Sequence, residues 1–153
     1  MNTQDSRLKV LLIEDNPGDF RLIQEMFKES RANVELKWAK QLSTGLAYTK
    51  EEIFDGLLVD IGLPDSQGID TFKKIHHQAP QIPIIVLTGL ADDGLAIRAL
   101  REGAQDYLVK GQIDSNLLVR SIHYAIERKR AEQISFLINP PNLKRSSMCS
   151  KNY

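Results

Sequence analysis

The segment 56–59 constrains the fold more than any other part of the chain, because all four of its residues are apolar or glycine. A short apolar run without a helical face is typical of a parallel β-strand that is covered on both sides. The run ends at Asp60, and the chain then turns at Gly62 and Pro64. Reactive groups in open α/β sheets gather at the carboxyl ends of such strands. The sequence therefore predicts that Asp60 is a reactive carboxylate at one edge of a parallel sheet.

The chain repeats a short apolar run followed by an amphipathic segment five times. The predicted strands cover residues 8–13, 34–38, 56–59, 82–87 and 107–109, and a helix is predicted after each of them. The second strand alternates apolar and charged residues, so we expect it at an edge of the sheet. Gly45 is expected to weaken the second helix, and Gly103 to end the fourth. Serial strand–helix units predict an α/β fold with a parallel sheet and right-handed crossovers.

Composition limits the classes of protein to which the chain can belong. Its 153 residues suit one domain, and the 20 Lys and Arg balance the 20 Asp and Glu, so direct nucleic-acid binding is not expected. The single Cys149 fits a reducing compartment. No apolar run reaches the length of a signal peptide core or a membrane span. We therefore expect a cytoplasmic protein without membrane insertion.

Residues 1–133 are predicted to form the domain, including an extended final helix. The sequence Asn139-Pro140-Pro141 breaks any helix. Residues 134–153 are predicted to be a basic, disordered tail. The neighbouring His76 and His77 point in different directions on a predicted helix, so we expect them on a solvated face.

Four strand ends supply the polar residues Glu14 and Asp15, Asp60, Thr88 and Lys110. In a parallel sheet these ends lie along one edge, so three acids, a hydroxyl and an ammonium should converge there. Clustered carboxylates repel each other, and a hard divalent cation is the usual remedy. Mg²⁺ typically binds one or two protein carboxylates together with phosphate oxygens. The set therefore favours capture of a phosphoryl group by Asp60 as an acyl phosphate.

Residues 9–130 resemble the receiver domain of two-component response regulators. The resemblance rests on Glu14-Asp15 after the first strand, Asp60 with Pro64 and Gly68 beyond it, Thr88-Gly89, and the segment 107–110. It implies a flavodoxin-like (βα)5 three-layer sandwich with a five-stranded parallel sheet in the order 2-1-3-4-5. Where receivers usually carry proline after the lysine, this chain has Gly111, and the sequence leaves the isomer of that peptide bond open.

The resemblance also implies a role for each residue around Asp60. Asp60 would be the phospho-acceptor, and Lys110 would pair with the phosphoryl oxygens. Mg²⁺ would be ligated by Asp15, Asp60 and the backbone carbonyl of Gly62, with Glu14 acting through water.

The resemblance further implies a signalling switch. The Thr88 hydroxyl would move to the phosphoryl group and draw Tyr107 inward, which would remodel the face of helix 4, strand 5 and helix 5. That face would bind a downstream partner or output module, or form a homodimer. A histidine kinase or phosphotransfer protein would be the phosphoryl donor.

The resemblance implies a signalling protein that catalyses only its own phosphorylation and slow dephosphorylation. Leu90 and Gly62 motivate the expectation of a long phosphoryl lifetime. The apolar Leu90 would hinder an attacking water, and Gly62 offers no polar group to orient one.

Three rival functions remain at this level. An aspartate-nucleophile phosphohydrolase would need a second Asp two residues after the nucleophile, where this chain has Gly62. A degenerate receiver that serves only as a binding module would not need the complete acid set. A flavodoxin-like cofactor binder would need a phosphate-cradling loop after the first strand, where Glu14 and Asp15 would repel phosphate.

Overall fold

A computed structural model describes residues 7–89 and 93–140 of the chain. The main sheet contains β1 (Leu8–Ile13), β2 (Val34–Ala39), β3 (Gly56–Asp60), β4 (Ile84–Thr88) and β5 (Asp106–Val109). The helices are α1 (Pro17–Ser30), α2 (Leu42–Glu51), α3 (Ile69–Gln78), α4 (Asp93–Glu102) and α5 (Ser115–Ile138). A small antiparallel hairpin pairs Gly62–Leu63 with Ser66–Gln67 directly after β3.

All five main strands are parallel, and their spatial order is β2-β1-β3-β4-β5. This confirms the predicted flavodoxin-like α/β fold and the edge position of β2. β3 lies at the centre, and all five of its residues are buried. Because β3 is covered on both faces, its residues before Asp60 are continuously apolar or glycine rather than alternating.

Two hydrophobic cores, one on each face of the sheet, make the fold a three-layer sandwich. Alternate side chains of a strand point to opposite faces, so neighbouring residues of β1 and β3 enter different cores. One core contains Leu57 and Val59 with Phe72 and Ile75 of α3. The other contains Leu58 and side chains of α1 and α5, namely Ile23, Phe27, Leu118 and Ile122. Helices therefore pack on both faces of the strand that ends at Asp60.

Local signals set the helix ends close to the predicted positions. Asn16 caps α1, because its side-chain oxygen accepts hydrogen bonds from the N–H groups of Gly18 (2.7 Å) and Asp19 (3.2 Å). Asp114 caps α5 in the same way through the N–H of Leu117 at 2.7 Å. Gly103 follows α4 with a φ of 122°, a backbone conformation that favours glycine.

The final helix continues beyond the predicted domain boundary at residue 133. α5 ends at Ile138, directly before Asn139 and Pro140, and residues 134–138 are exposed. The start of the predicted tail is therefore helical. The remainder, residues 141–153, lies outside the described part of the chain, and the division into domain and tail stays a prediction.

One expectation for the paired histidines is wrong. His77 is exposed as expected, but His76 is half-buried and stacks on Phe72 with 5.2 Å between ring centroids. Burial lowers the pKa of His76, with a further contribution from the charge of Lys129. Packing against Phe72, which lies four residues earlier on the same face of α3, accounts for the difference.

Gly45 serves as a packing residue in α2. A Cβ at this position would lie 2.4 Å from Cδ1 of Ile13, whose side chain is fully buried. The glycine that the sequence marked as a weakness in α2 therefore lets the helix approach β1 closely.

We expect Gly45→Ala to lower the free energy of unfolding, because overpacking costs about 1–3 kcal/mol and outweighs a gain in helix propensity of about 1 kcal/mol. Urea unfolding measures the change. Gly94→Ala in α4 is the matched control, since a Cβ there meets no atom within 4 Å. A Gly45→Ala protein as stable as the wild type would contradict this account of the packing.

Candidate functional site

Three acidic side chains meet at the carboxyl edge of the sheet. Glu14 and Asp15 follow β1, and Asp60 is the last residue of its neighbour β3, where Ile13 pairs with Val59. One carboxylate oxygen from each acid lies within 4.8 Å of the other two. Glu14 is fully buried and Asp60 is buried, whereas Asp15 is exposed. The three acids that the sequence placed at this edge therefore lie together.

The ammonium group of Lys110 lies among these carboxylates. Its Nζ is 2.7 Å from Oε1 of Glu14, 2.8 Å from Oδ2 of Asp60 and 3.0 Å from Oδ2 of Asp19. Asp60 and Asp19 accept hydrogen bonds from this ammonium, whereas its contact with Oε1 of Glu14 is an ion pair. Lys110 thus links the ends of β1 and β3 to the first turn of α1.

A tight turn after β5 positions Lys110. The N–H of Lys110 donates to the carbonyl of Thr88 at 2.8 Å, and the N–H of Gln112 donates to the carbonyl of Val109 at 3.0 Å. Gly111 has a φ of 88°, as the third residue of a type II turn requires. No peptide bond is cis among the described residues, so the Lys110–Gly111 bond is trans. The turn therefore favours glycine at position 111.

Burial and crowding shift the pKa values at this site. Burial raises the pKa of Glu14 to about 8, and the neighbouring Asp60 adds to the shift, against the opposing hydrogen bond from Lys110. Burial acts to lower the pKa of Lys110, but its bonds to Asp60, Glu14 and Asp19 outweigh that effect and hold the pKa above its ordinary value. One ammonium does not balance this many acids. The cluster of Glu14, Asp15 and Asp60 could therefore hold a metal cation.

Thr88 and Tyr107 lie on the two strands beyond β3. Thr88 ends β4, is almost fully buried and is in register with Val109. Tyr107 is half-buried, is in register with Val86 and packs against the core beneath α3 and α4. Their predicted switching roles stay predictions. Leu90, on which the expectation of a long phosphoryl lifetime depends, lies outside the described residues.

Short hydrogen bonds hold the loop after Asp60. Oδ1 of Asp60 accepts the N–H of Gly62 at 2.9 Å, and the carbonyl of Ile61 accepts the N–H of Gly68 at 2.7 Å. The first bond uses the oxygen of Asp60 that does not contact Lys110. The Asp60 carboxylate is therefore oriented through both of its oxygens.

Asp65 ties this loop to the beginning of α2. Its two carboxylate oxygens accept the N–H groups of Leu42 (2.9 Å) and Ser43 (3.0 Å). The N-cap residue of α2, Gln41, makes no side-chain capping bond. Asp65 thus caps α2 from a distant part of the chain and fixes the segment that contains Gly62.

Sequence reasoning missed three residues that build the site, namely Asp19, Asp65 and Trp38. Nε1 of Trp38 donates to the carbonyl of Glu14 at 2.6 Å, and its ring stacks on Phe20 with centroids 4.1 Å apart. A signal for Asp19 existed in its position, because it lies in the first turn of the helix that begins after Asn16 and Pro17. The contacts of Asp65 and Trp38 join segments that no sequence period relates.

We expect Asp65→Ala to lower the free energy of unfolding by about 0.5–2 kcal/mol, the usual cost of losing a helix cap. Burial acts to raise the pKa of Asp65, but bonds from the N–H groups of Ser43 and Leu42 outweigh it and lower the pKa. The stabilisation is therefore present above the ordinary aspartate pKa and is lost as pH falls through the lowered value. Chemical unfolding of the two proteins at neutral and acid pH measures this loss.

Asp65→Asn keeps one acceptor and should retain part of the stability. A difference between wild type and Asp65→Ala that stays constant into strong acid would contradict the capping role.

Comparison with known families gives one match over most of the chain. The family model for the response regulator receiver domain matches residues 10–123. That range includes the three clustered acids, Thr88, Tyr107 and Lys110. Within residues 7–89 and 93–140, no helix is both long and apolar enough to span a lipid bilayer.

Curated relatives carry the same domain within longer proteins. The chain is 29% identical over 124 residues to the transcriptional regulatory protein ZraR of Salmonella typhimurium, with 81% of this chain and 27% of that protein covered. It is 34% identical over 128 residues to the C4-dicarboxylate transport transcriptional regulatory protein DctD of Pseudomonas aeruginosa, with coverage of 82% and 27%. The chain thus spans about a quarter of the length of these relatives.

Solved structures share the fold over almost their whole length. A response regulator receiver domain protein from Clostridium thermocellum is 29% identical, with a TM-score of 0.72 and coverage of 81% of this chain and 98% of that one. A CheY-like receiver domain protein from Methanospirillum hungatei is 25% identical, with a TM-score of 0.72 and coverage of 83% and 99%.

Proposed function

The chain belongs to the response regulator receiver domain family, and from this premise we propose that Asp60 accepts a phosphoryl group in a two-component phosphorelay. The single observation that carries the proposal is the contact of 2.8 Å between Lys110 Nζ and Asp60 Oδ2, beside Glu14 and Asp15. A carboxylate at the end of a central strand, next to a fixed cation, suits nucleophilic attack on phosphorus.

The proposed step is a displacement at phosphorus. A carboxylate oxygen of Asp60 forms the new P–O bond, while the bond between phosphorus and the donor's leaving group breaks and its electron pair departs with that group. Donors of this chemistry are a phosphohistidine of a kinase or phosphotransfer protein, or a small acyl phosphate. Lys110 offsets the negative charge of the transferring group.

Mg²⁺ fits the chemistry of the acid cluster. Three carboxylates with oxygens within 4.8 Å of one another form a hard, oxygen-only donor set. Asp15 and Asp60 would bind Mg²⁺ directly, with the carbonyl of Gly62 and, through water, Glu14. When bound, the ion supplies positive charge to the phosphoryl oxygens.

The proposed output passes through Thr88 and Tyr107 to the face of α4, β5 and α5. Phosphorylation adds charge next to Thr88, and movement of its hydroxyl would shift the equilibrium of the Tyr107 side chain. Ile97 and Leu100 of α4 are 48% and 38% exposed, so this helix presents apolar surface to a partner. A downstream protein, an output module or a second copy would bind there, in the cytoplasm.

A phosphohydrolase is less well supported than a receiver. Position 62, where such an enzyme needs an acid, is a glycine whose N–H is bonded to Asp60. The proposed chemistry is therefore limited to the protein's own phosphorylation and slow dephosphorylation.

Incubation with Mg²⁺ and acetyl phosphate should add the mass of one phosphoryl group to the protein, as measured by intact mass spectrometry. Asp60→Asn should abolish the gain, because the amide is not a nucleophile. Asp55→Asn is the matched control, since Asp55 is exposed and lies just before the other end of β3.

Absence of a mass gain in the folded wild-type protein would refute the acceptor role. Multiple turnover of phosphate esters would instead support a phosphohydrolase.

Mg²⁺ should change the fluorescence of Trp38, the only tryptophan of the chain, because its indole N–H is bonded to the Glu14 carbonyl. We expect Asp15→Asn to weaken Mg²⁺ binding roughly tenfold or more, through loss of one of the few carboxylate ligands. Glu35→Gln, an exposed acid on β2, should bind normally. Equal Mg²⁺ affinity in Asp15→Asn and the wild type would exclude the proposed ligand set.

A further inference from the structure

Asp19 contacts the Lys110 ammonium but is not one of the three clustered acids Glu14, Asp15 and Asp60. We propose that Asp19 is a positioning residue, which holds the Lys110 ammonium in place while the phosphoryl group is transferred to Asp60. This inference rests on the proposed function and concerns the same site. It is carried by the distance of 3.0 Å between Lys110 Nζ and Asp19 Oδ2.

Lys110 needs an anchor of this kind because its backbone fixes little of its side chain. Lysine has a long, flexible side chain whose ammonium can donate in three directions. On the buried side of the site, Nζ donates a hydrogen bond to Asp60 at 2.8 Å and forms an ion pair with Glu14 at 2.7 Å. Asp19, with 35% of its side chain exposed, accepts a second hydrogen bond from the solvent side. The ammonium is therefore held from two sides.

Phosphoryl transfer alters only one of these three contacts of Lys110. Once an oxygen of Asp60 becomes part of the acyl phosphate, the Lys110 N–H that was bonded to Asp60 is needed to bind the phosphoryl oxygens. The ion pair with Glu14 and the hydrogen bond to Asp19 involve groups that take no part in bond formation. With the contacts to Glu14 and Asp19 in place, the ammonium is already positioned for the phosphoryl group and does not have to change rotamer.

Asp19 is itself held rigidly. Its N–H donates to the Asn16 side chain at 3.2 Å, and its position in the first turn of α1 favours a negative charge. The next residue, Phe20, stacks on Trp38 of β2 with an angle of 2° between the rings. The first turn of α1 is thus fixed to the sheet, and Asp19 offers Lys110 a stationary acceptor.

Asp19 acts on the lysine and lies apart from the acids that would bind metal. The carboxylates that converge within 4.8 Å are those of Glu14, Asp15 and Asp60. The charge of Asp19 is paired with Lys110 instead. Removal of Asp19 should therefore slow phosphorylation and leave Mg²⁺ affinity almost unchanged, a separation that a general structural defect would not produce.

The test compares rate constants for phosphorylation by acetyl phosphate at saturating Mg²⁺. We expect Asp19→Ala to lower the rate constant roughly tenfold, because a misplaced charge loses much of its effect on the transferring group. Asp19→Asn keeps an acceptor oxygen and should restore part of the rate. Asp70→Ala is the matched control, since Asp70 is an exposed acid in the first turn of α3.

Two further measurements complete the test. Mg²⁺ affinity from Trp38 fluorescence should stay within about twofold of the wild type for each of these variants, since only the lysine loses a partner. The ¹⁵N order parameter of Lys110 Nζ in the unphosphorylated protein should fall in Asp19→Ala and partly recover in Asp19→Asn.

An Asp19→Ala protein that is phosphorylated as fast as the wild type would overturn the inference. So would a slower rate that is explained entirely by weaker Mg²⁺ binding. Both outcomes leave the proposed function intact, because the wild type still gains a phosphoryl group on Asp60. Failure of the wild type to gain that group would refute the acceptor role itself, and the positioning role with it.

Discussion

The site depends on one cation shared among three carboxylates. The Lys110 ammonium lies within 3.0 Å of oxygens of Glu14, Asp19 and Asp60, and so joins β1, α1, β3 and the turn after β5. Even with this charge nearby, the fully buried Glu14 beside Asp60 is costly to keep ionised, as its raised pKa indicates. The ammonium does not fully balance the acids. The same arrangement that stabilises the folded site therefore leaves it attractive to a divalent cation.

The sheet supplies the precision of this arrangement. β3 is buried along its whole length and is paired on both sides, so the position of Asp60 is set by two neighbouring strands. The loop that follows is fixed by the Gly62 bond to Asp60 and by the Asp65 cap on α2. Under the proposed function, the group that attacks phosphorus is thus held by rigid elements.

The sequence predicted the sheet and its edge well because buried parallel strands have a simple signature. Continuous apolar runs locate β1, β3 and β4, and the polar residue at the end of each run locates Glu14, Asp60 and Thr88. Contacts between elements were not predictable in the same way. Asp19 meets Lys110 across 91 positions of sequence, and Asp65 meets Leu42 from another loop. The packing role of Gly45 was missed for the same reason, since helix propensity is local and the contact with Ile13 is not.

The backbone around Lys110 also limits how a signal can leave the site. The N–H of Lys110 donates to the Thr88 carbonyl at 2.8 Å, so the ends of β4 and β5 are joined close to Asp60. Thr88 pairs with Val109 and Val86 with Tyr107, and both pairs belong to this fixed ladder. A slip of β5 against β4 would break the ladder and move every side chain of β5 to the wrong face. Under the proposed function, the response must therefore travel through rotation of the Thr88 and Tyr107 side chains and through α4, with the sheet as its stationary frame.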